Sequence, residues 1–270
     1  MKILPKKSLG QNFLINTGVL EKIVSAAELS PSDTVLEIGP GTGTLTKLLV
    51  EKVLQHGSGQ AGQVIAIEKD RRLIEDLKTK FPAIQIVEED VLKFRPEEYG
   101  LKEGGYKIVA NIPYYITSNL LRIIFEKWPR PELIVLTVQK EVAQRIVAKP
   151  PDMNLLALSV QIYSEPKIIG YVSRGSFRPM PKVDSAIIKL TPHNRPLATN
   201  PELFFRLAKA GFSGKRKQLA NNLSKNLGLP KDKVVEILKE LAINDKIRAE
   251  NLSIDKWLEL GSLLEFLLIV

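Results

Sequence analysis

The sequence contains no cysteine and only two histidines, His56 and His193. The absence of cysteine excludes disulfides, thiolate metal sites, iron–sulfur clusters and a cysteine nucleophile. Because both histidines lie in stretches typical of loops, a serine hydrolase triad or a metal site built from histidines is not expected either. Chemistry in this protein must therefore depend on carboxylates, amides, aromatic side chains or a bound cofactor.

Long hydrophobic runs are also missing. No segment approaches the roughly 18 uncharged apolar residues of a membrane-spanning helix. The amino terminus, MKILPKKSLGQNFL, carries lysines but no apolar run of signal-peptide length. The carboxyl-terminal LLEFLLIV is short and interrupted by Glu265, which predicts a docked helix. We expect a globular cytoplasmic protein, whose hydrophobic content of 44% supports one large core and leaves room for a smaller one.

Acidic residues are absent from one stretch of the sequence, between Leu203 and Lys231. The whole chain has 39 lysines and arginines against 30 aspartates and glutamates, a net charge of +9. Seven cations occupy the acid-free stretch: Arg206, Lys209, Lys215, Arg216, Lys217, Lys225 and Lys231. This concentration favours a polyanionic partner, such as nucleic acid or an anionic surface, although a charged helix face is more often simply solvated.

Short apolar runs alternate with helix-period segments through the first two thirds of the sequence. The series TVLEIG, LTKLLVEKV, QVIAIE, RRLIEDLKTKF, IQIVEED and KIVANI is typical of a parallel sheet with helical crossovers. It predicts a doubly wound α/β domain over residues 15–192, after an N-terminal segment of residues 1–14. Prolines mark residues 193–200 as a linker, and the segments that follow predict a helical domain over residues 201–270.

Polar residues follow the predicted strands at the edge where ligands bind in an open parallel sheet. The first strand runs into GPGTG, where Gly39 and Gly41 allow the backbone to approach a ligand, although the spacing does not match G-x-G-x-x-G well. Glu68 ends the second strand, where a carboxylate can accept ribose hydroxyls. Asp90 ends the third strand and could accept an adenine amine, with Val91 over the ring. Taken singly, each residue also fits a turn, a cap or a solvated charge; together they predict a site for an adenosine-containing cofactor.

The fourth strand ends in NIPYY, residues 111–115. Asn111 offers a side-chain carbonyl. Pro113 cannot donate a backbone hydrogen, while the carbonyl of residue 112 stays free and is held in an extended geometry. Two acceptors can face an amino group with two hydrogens, and Tyr114 offers a flat face for a base. These residues predict a site that orients an aromatic amine for attack on an electrophile, without a general base. Taken in isolation, the sequence NIPYY fits a purely structural role at least as well, as a strand-to-helix turn with two buried tyrosines.

The ordered motifs EIGPGTGTLT, IEKD, EEDVLKF and NIPYYI resemble the class I S-adenosylmethionine-dependent methyltransferases, which have a Rossmann-like doubly wound sheet. N-x-P-Y is the signature of members that methylate amino groups. The segments KKSLGQNFL, VQKEVAQRIVA, SFRPMPKVDSAIIKL and GFSGKRKQLANNL extend the resemblance to the rRNA adenine N6,N6-dimethyltransferase family, specifically its small-subunit branch. The resemblance covers nearly the whole sequence. The connection VLQHGSGQAGQV, which includes His56, is longer than expected, and we interpret it as a tolerated insertion.

The resemblance implies that the N-terminal segment, residues 1–14, folds over the cofactor, and it implies roles for individual residues. The implied contacts of the cofactor, S-adenosyl-L-methionine, are Gln11, Asn12, Leu14, Gly39, Gly41, Glu68, Lys69, Asp90, Val91 and Asn111. The implied catalytic residues, with the target adenine stacked between the two aromatic rings, are Asn111, Pro113, Tyr114 and Phe177. Charge and resemblance together predict contacts with RNA by Arg206, Lys209, Lys215, Arg216 and Lys217. No metal is expected.

The implied activity is dimethylation of N6 of adenines, two adjacent ones in a 3′-terminal hairpin loop of 16S rRNA, during ribosome biogenesis. The expected partner is the small ribosomal subunit, and the expected oligomeric state is a monomer. Three alternatives stay open. A large-subunit rRNA adenine methyltransferase of the resistance type would share the catalytic residues, although GKRKQLANNL favours the small-subunit branch. A nicotinamide dehydrogenase would leave NIPYY unexplained, and a non-catalytic ribosome-assembly or RNA-binding factor would not need these residues intact.

Overall fold

The computed structural model describes residues 4–6, 9–54, 62–194 and 200–268. The chain divides into two compact units. Met1–Ala143 and Glu165–Pro192 form the first, and Gln144–Ser164 and His193–Val270 form the second. His56 and most of the predicted linker, residues 193–200, lie outside the described residues.

The segment Gln144–Ser164 belongs to the second unit, whereas the sequence pattern predicts it as part of the α/β domain. Its apolar side chains explain the difference. Met153, Leu158 and Ile162 are buried in the same hydrophobic cluster as Phe204 of the C-terminal helices. Periodicity shows that a segment has an apolar face, but it does not show which core that face joins.

Strands in the described residues, β1 to β9 in chain order, span Phe13–Leu14, Thr34–Ile38, Gln63–Glu68, Gln85–Glu88, Lys107–Asn111, Leu133–Gln139, Ser164–Val172, Phe177–Arg178 and Ser185–Pro192. Seven of these form one sheet in the order β4-β3-β2-β5-β6-β9-β7, and β1 pairs with β8. Neighbours from β4 through β6 are parallel, while β9 is antiparallel to β6. The sheet is therefore mixed, and its parallel part is the one that the apolar runs predict.

The register of the strands brings the predicted ligand contacts to one edge of the sheet. Ile38, the last residue of β2, lies opposite the penultimate residues of β3 and β5. Gly39, Glu68 and Asn111 come one position later and so lie side by side. The continuous apolar runs of β2, β3 and β5 are buried, as expected for parallel strands covered on both faces.

Helices in the described residues, α1 to α10, span Thr17–Ala26, Thr44–Val53, Arg71–Lys80, Thr117–Lys127, Lys140–Ile146, Leu155–Gln161, Pro201–Gly211, Leu219–Leu227, Lys231–Glu240 and Ile254–Leu268. Four begin at side chains that accept a hydrogen bond from the first turn: Asn16, Asp70, Asn154 and Asn200. The apolar faces of α1 and α2 are buried in one cluster with β2 and β5. None of the helices in the described part has the length and apolar character needed to span a bilayer.

Candidate active site

A cleft opens in the first unit at the carboxyl ends of β2, β3 and β5. It is partly open to solvent. Its walls include every residue predicted for the cofactor and for catalysis: Gln11, Asn12, Leu14, Gly39, Gly41, Glu68, Lys69, Asp90, Val91, Asn111, Pro113, Tyr114 and Phe177. The five cations predicted to contact RNA belong instead to the second unit.

The glycine turn after β2 forms one wall of the cleft. Gly39 and Gly41 have φ angles of 69° and 60°, a left-handed conformation that favours glycine. A Cβ atom on Gly41 would also lie 2.8 Å from the ring of Phe13. Gly41 therefore meets two requirements, a positive φ and close approach of an aromatic ring.

Glu68 ends β3 and is buried, with 7% of its surface exposed. Its Oε2 accepts the Gly41 N–H at 3.1 Å, and its Oε1 accepts the Asp70 N–H at 2.8 Å. Burial raises the pKa of Glu68, and these backbone donors oppose the shift. Each oxygen keeps a further lone pair, so the carboxylate can also accept the hydroxyl hydrogens of a ribose in the cleft.

Asp90 lies in the turn after β4 and forms an ion pair with Lys69. The Lys69 Nζ is 2.7 Å from Asp90 Oδ2, and the Leu92 N–H donates to Asp90 Oδ1 at 3.1 Å. Burial acts to raise the pKa of Asp90, but the bonds from Lys69 and Leu92 prevail and lower it. Asp90 is thus an ionised acceptor, and the ammonium of Lys69 is engaged in holding it. Lys69 lines the cleft, but its contact with a cofactor stays a prediction.

The N-terminal segment 9–14 covers part of the cleft. Several contacts attach it: β1 pairs with β8, the Thr44 hydroxyl donates to the Leu14 carbonyl at 3.0 Å, and Gln11 Nε2 donates to Asp70 Oδ2 at 2.9 Å. Gln11 Oε1 also accepts the Lys6 N–H at 2.7 Å. Both polar atoms of the Gln11 amide are therefore engaged, the nitrogen with Asp70 of the α/β unit and the oxygen with the chain just before the segment.

Asn111 and the residues after it form another part of the wall. Asn111 Nδ2 donates to the Asn12 carbonyl at 3.1 Å, which leaves its Oδ1 as an acceptor. Pro113 is extended, with φ −58° and ψ 133°, and a short 3-10 helix, Tyr114–Ile116, follows it. The Tyr114 hydroxyl lies 2.6 Å from Ser185 Oγ, so β9 fixes the direction of the Tyr114 ring.

Phe177 lines the same cleft as Tyr114, but only 1% of the residue is exposed. It is buried in the hydrophobic cluster that includes Leu14, its partner in the β1–β8 ladder. Stacking of a base on Phe177 would therefore need a shift of the ring or of the segment above it. The sandwich with Tyr114 stays a prediction.

Three residues that sequence reasoning did not identify help to build the cleft. Asp70 caps α3 and binds both Gln11 and Arg72; an aspartate just before a helix-period segment was a usable signal. Phe13 packs on Gly41, and Ser185 holds Tyr114. These two contacts join residues that are far apart in the sequence, and no local pattern in a single sequence predicts them.

Glu37, in the middle of β2, is fully buried next to this site. Among the described residues, neither its carboxylate oxygens nor the buried hydroxyl of Thr46 meets a hydrogen-bond partner. Burial raises the pKa of Glu37 to about 8, an effect that proximity to Thr46 only partly offsets and that the charge of Glu68 increases. Glu37 therefore carries a proton at neutral pH.

We expect Glu37→Gln to remove one source of pH-dependent stability. Between the ordinary pKa of 4.5 and the raised value of about 8, the folded wild type holds a proton that the unfolded chain releases. The free energy of unfolding of the wild type must therefore fall as the pH rises. In urea unfolding, the free energy of unfolding of the variant relative to that of the wild type should rise from pH 5 to pH 9, by on the order of a few kcal/mol. Glu75→Gln, at an exposed position of α3, is the control. If Glu37→Gln and the wild type differed in stability by the same amount at pH 5 and at pH 9, the raised pKa of Glu37 would be contradicted.

The five predicted RNA contacts lie close together in the sequence of the second unit. Arg206 and Lys209 are on α7, while Lys215, Arg216 and Lys217 lie in the turn before α8, and all five are exposed. None of them forms an ion pair with another residue in the described part of the chain. Their charge is therefore not neutralised by nearby carboxylates.

The turn that carries residues 215–217 is fixed by Asn222 of α8. This side chain is buried, and its Nδ2 donates to the carbonyls of Gly211 at 2.6 Å and Gly214 at 3.1 Å. A Cβ atom on Gly214 would lie 2.7 Å from Asn222 Oδ1. Asn222 was missed from the sequence, although a polar residue at a buried helix position is the signal that would have indicated it.

The chemistry of the cleft fits S-adenosylmethionine. The glycine turn allows the backbone to approach a ligand, and the Glu68 carboxylate can accept hydrogen bonds from a ribose. The Asp90 carboxylate can accept from an adenine amine, and Asn111 lines the same cleft. Groups of acidic or histidine residues able to hold a metal are absent from the described residues. The fold and the site are those of a class I S-adenosylmethionine-dependent methyltransferase with the signature of enzymes that methylate amino groups.

Comparison with known proteins gives the family. Residues 4–265 match the model of the ribosomal RNA adenine dimethylase family, and the chain belongs to that family. It is 46% identical to a Ribosomal RNA small subunit methyltransferase A of Dehalococcoides mccartyi strain CBDB1, over 94% of this chain and 87% of the relative. A protein with the same description from Lachnoclostridium phytofermentans is 39% identical, over 96% of this chain and 91% of the relative.

Solved structures agree with this assignment. A dimethyladenosine transferase from Plasmodium falciparum superimposes with a TM-score of 0.80 at 31% identity, covering 94% of this chain and 97% of that one. The 23S rRNA methyltransferase ErmE superimposes with a TM-score of 0.75 at 28% identity, covering 94% and 100%. The predicted family, α/β fold, methyltransferase activity and cofactor are confirmed. The dehydrogenase alternative is wrong.

Proposed function

We propose that this enzyme dimethylates N6 of adenines in the RNA of the small ribosomal subunit, at two adjacent positions in a 3′-terminal hairpin loop. The arrangement of Asn111 carries the proposal. One N–H of its amide donates to the Asn12 carbonyl and fixes the side chain, and its carbonyl oxygen is the acceptor that we place at the junction of cofactor cleft and substrate. The printed names of the curated relatives support the choice of the small subunit.

Two acceptors orient the amine of the substrate. The Asn111 Oδ1 and the carbonyl of residue 112 can each accept one N6 hydrogen. Pro113 has no N–H to compete for these acceptors, and it keeps residue 112 in an extended geometry. The lone pair of N6 is then directed to the cofactor side of the cleft. S-adenosylmethionine supplies an electrophilic methyl group on its sulfonium when it is bound. Positioning is the main contribution of the protein. No general base is needed before attack, because N6 can lose its proton after the methyl group has been transferred.

The same site can accept an adenine that already carries one methyl group. A monomethylated N6 has one hydrogen left, so one acceptor still orients it while the other faces the methyl group. The ring of Tyr114, held by Ser185, provides the face on which the unstacked base lies. The second transfer therefore needs no additional group.

Methylation of purified ribosomal material tests this proposal. The protein and S-adenosylmethionine are incubated with unmethylated small subunits or with free large-subunit RNA, and nucleosides are identified by mass spectrometry. We expect dimethyladenosine in the small-subunit RNA. Transfer to free large-subunit RNA alone would favour the resistance-type alternative, which remains reasonable because ErmE shares the fold. Transfer to neither would leave a binding factor as the better interpretation.

We further propose that the acid-free turn of the second unit binds RNA backbone through Lys215, Arg216 and Lys217, with Arg206 and Lys209 on α7. Exposed, unpaired cations suit phosphates, and Asn222 fixes the turn that presents three of them. Shape and phosphate contacts dominate the recognition of structured RNA.

The double variant Lys215→Glu, Arg216→Glu should bind small subunits more weakly at near-physiological salt, by about tenfold or more because two phosphate contacts become repulsive. The affinity for S-adenosylmethionine should not change. Lys239→Glu with Lys246→Glu makes the same change of charge at exposed positions outside the acid-free stretch and is the matched control. Equal affinity of both double variants for the subunit would refute this assignment of RNA contacts.

The proposal includes a cytoplasmic location and action as a monomer. The curated relatives are bacterial proteins named for the modification of ribosomal RNA, which supports the location. One chain supplies all the residues that line the cleft, so a second subunit is not needed to complete it.

A further inference from the structure

A surface of the first unit carries an exposed aromatic ring paired with a cation. Tyr171, near the end of β7, is 56% exposed. The Nζ of Lys140, the first residue of α5, lies 5.0 Å from the centroid of the Tyr171 ring, which is the geometry of a cation–π pair. The ring is therefore held in a defined place while much of its surface stays open to a ligand.

Short contacts connect this pair with the proposed adenine site. The Lys140 N–H donates to the Asp184 carbonyl at 3.0 Å. The hydroxyl of Tyr114 lies 2.6 Å from the Oγ of Ser185, the next residue. Lys140 and Tyr114 thus contact two consecutive residues, Asp184 and Ser185, at the start of β9.

The chain around this segment is positively charged. Residues 173–184 include one acidic residue, Asp184, whose Oδ1 accepts the Arg174 N–H at 3.0 Å. Three exposed cations lie in the same stretch: Arg174, Arg178 and Lys182. Glu141, next to Lys140, is also exposed, and it reduces the excess of positive charge on this surface without reversing it. A partner of negative charge suits this surface.

We propose that Tyr171 and Lys140 form a second nucleotide site, in which a base flanking the target adenine stacks on the tyrosine ring and its phosphate meets the lysine ammonium. The inference rests on the function proposed above, because the RNA strand must enter at the adenine site. Unpaired bases in loops stack on aromatic side chains, and cations beside them neutralise the backbone. The surface provides what such a site needs. It has an exposed aromatic ring with a cation at its face, and basic residues surround it next to the adenine site.

Substitutions at the pair test the second site, with small subunits as the probe. Tyr171→Ala should raise the KM for subunits at least about fivefold, the lower end of the effect of losing one base–aromatic stack, with little change in kcat or in affinity for S-adenosylmethionine. Tyr171→Phe keeps the ring and should behave as the wild type. Lys140→Gln should weaken binding and reduce the slope of log K against log salt by about one, whereas Tyr171→Ala should leave that slope unchanged. Lys78→Gln, an exposed change on α3, is the control.

The outcomes separate this inference from the proposed function. An unchanged KM for Tyr171→Ala, with normal methylation by the wild type, would overturn the second site alone. If the wild type bound subunits but methylated nothing, the proposed function would fail, and the affinity of Tyr171→Ala would still decide the second site. A photoreactive phenylalanine analogue at position 171 should cross-link to rRNA. Cross-links only to a ribosomal protein would contradict the inference, because the partner of this surface would then be a protein.

Discussion

Asn111→Ala is expected to lower kcat for methylation of small subunits by about 10²- to 10³-fold, the usual effect of removing one preorganised polar group from a reacting centre. The variant loses the carbonyl that accepts an N6 hydrogen, and it also loses the donor to the Asn12 carbonyl. Affinity for S-adenosylmethionine should fall much less, because Glu68 and Asp90 remain. Single-turnover methylation and calorimetric titration of the cofactor measure the two effects separately.

Asn119→Ala is the matched control for this prediction. Asn119 is exposed on α4 and does not line the cleft, so deletion of the same amide there should leave the rate unchanged. If Asn111→Ala kept a rate close to that of the wild type, the amide would have no part in orienting the amine. The tyrosine and proline of the N-x-P-Y turn would then have to position N6 without it.

Glu68→Ala is expected to weaken binding of S-adenosylmethionine by at least about 100-fold, because hydrogen bonds to a buried charged group contribute about 1.5–3 kcal/mol each. The change also frees the N–H groups of Gly41 and Asp70, which Glu68 now holds. The wild type should bind the cofactor more weakly as the pH falls. Since burial raises the pKa of Glu68, this loss should begin above the ordinary range of a glutamate.

Glu88→Ala provides the comparison for Glu68. Glu88 lies opposite Glu68 in the β3–β4 ladder, but it is exposed and does not line the cleft. Its removal should leave the affinity for the cofactor unchanged, as measured by calorimetry under the same conditions. Equal affinities of the two variants would mean that Glu68 serves only to hold the glycine turn.

Local pattern was enough to predict the parallel part of the sheet and the cleft at its edge. The apolar runs of β2, β3 and β5 fix which residues are strands, and the polar residues that follow them must then meet at one edge. Glu68 and Asn111 could be placed in this way from single positions in the sequence. The resemblance to a family added the N-terminal segment, whose position over the cleft depends on the β1–β8 ladder.

Features that depend on long-range packing could not be predicted. Gln144–Ser164 joins the core of the second unit because of contacts with distant helices. The ion pair of Lys69 with Asp90 and the burial of Phe177 under Leu14 also arise only in the folded chain. In each case the sequence showed which side chains are apolar, charged or aromatic. Neither periodicity nor motifs could show which distant residues they contact.

Mapping the methylated nucleotides is the most direct measurement of what this enzyme does. Unmethylated small subunits are treated with the enzyme and S-adenosylmethionine, and the rRNA is cut into fragments whose masses and sequences are determined. We predict one modified fragment from a hairpin near the 3′ end, with two adjacent adenines that each carry two methyl groups on N6. Methyl groups on another nucleotide, on another atom of adenine or only on large-subunit RNA would contradict the proposed reaction.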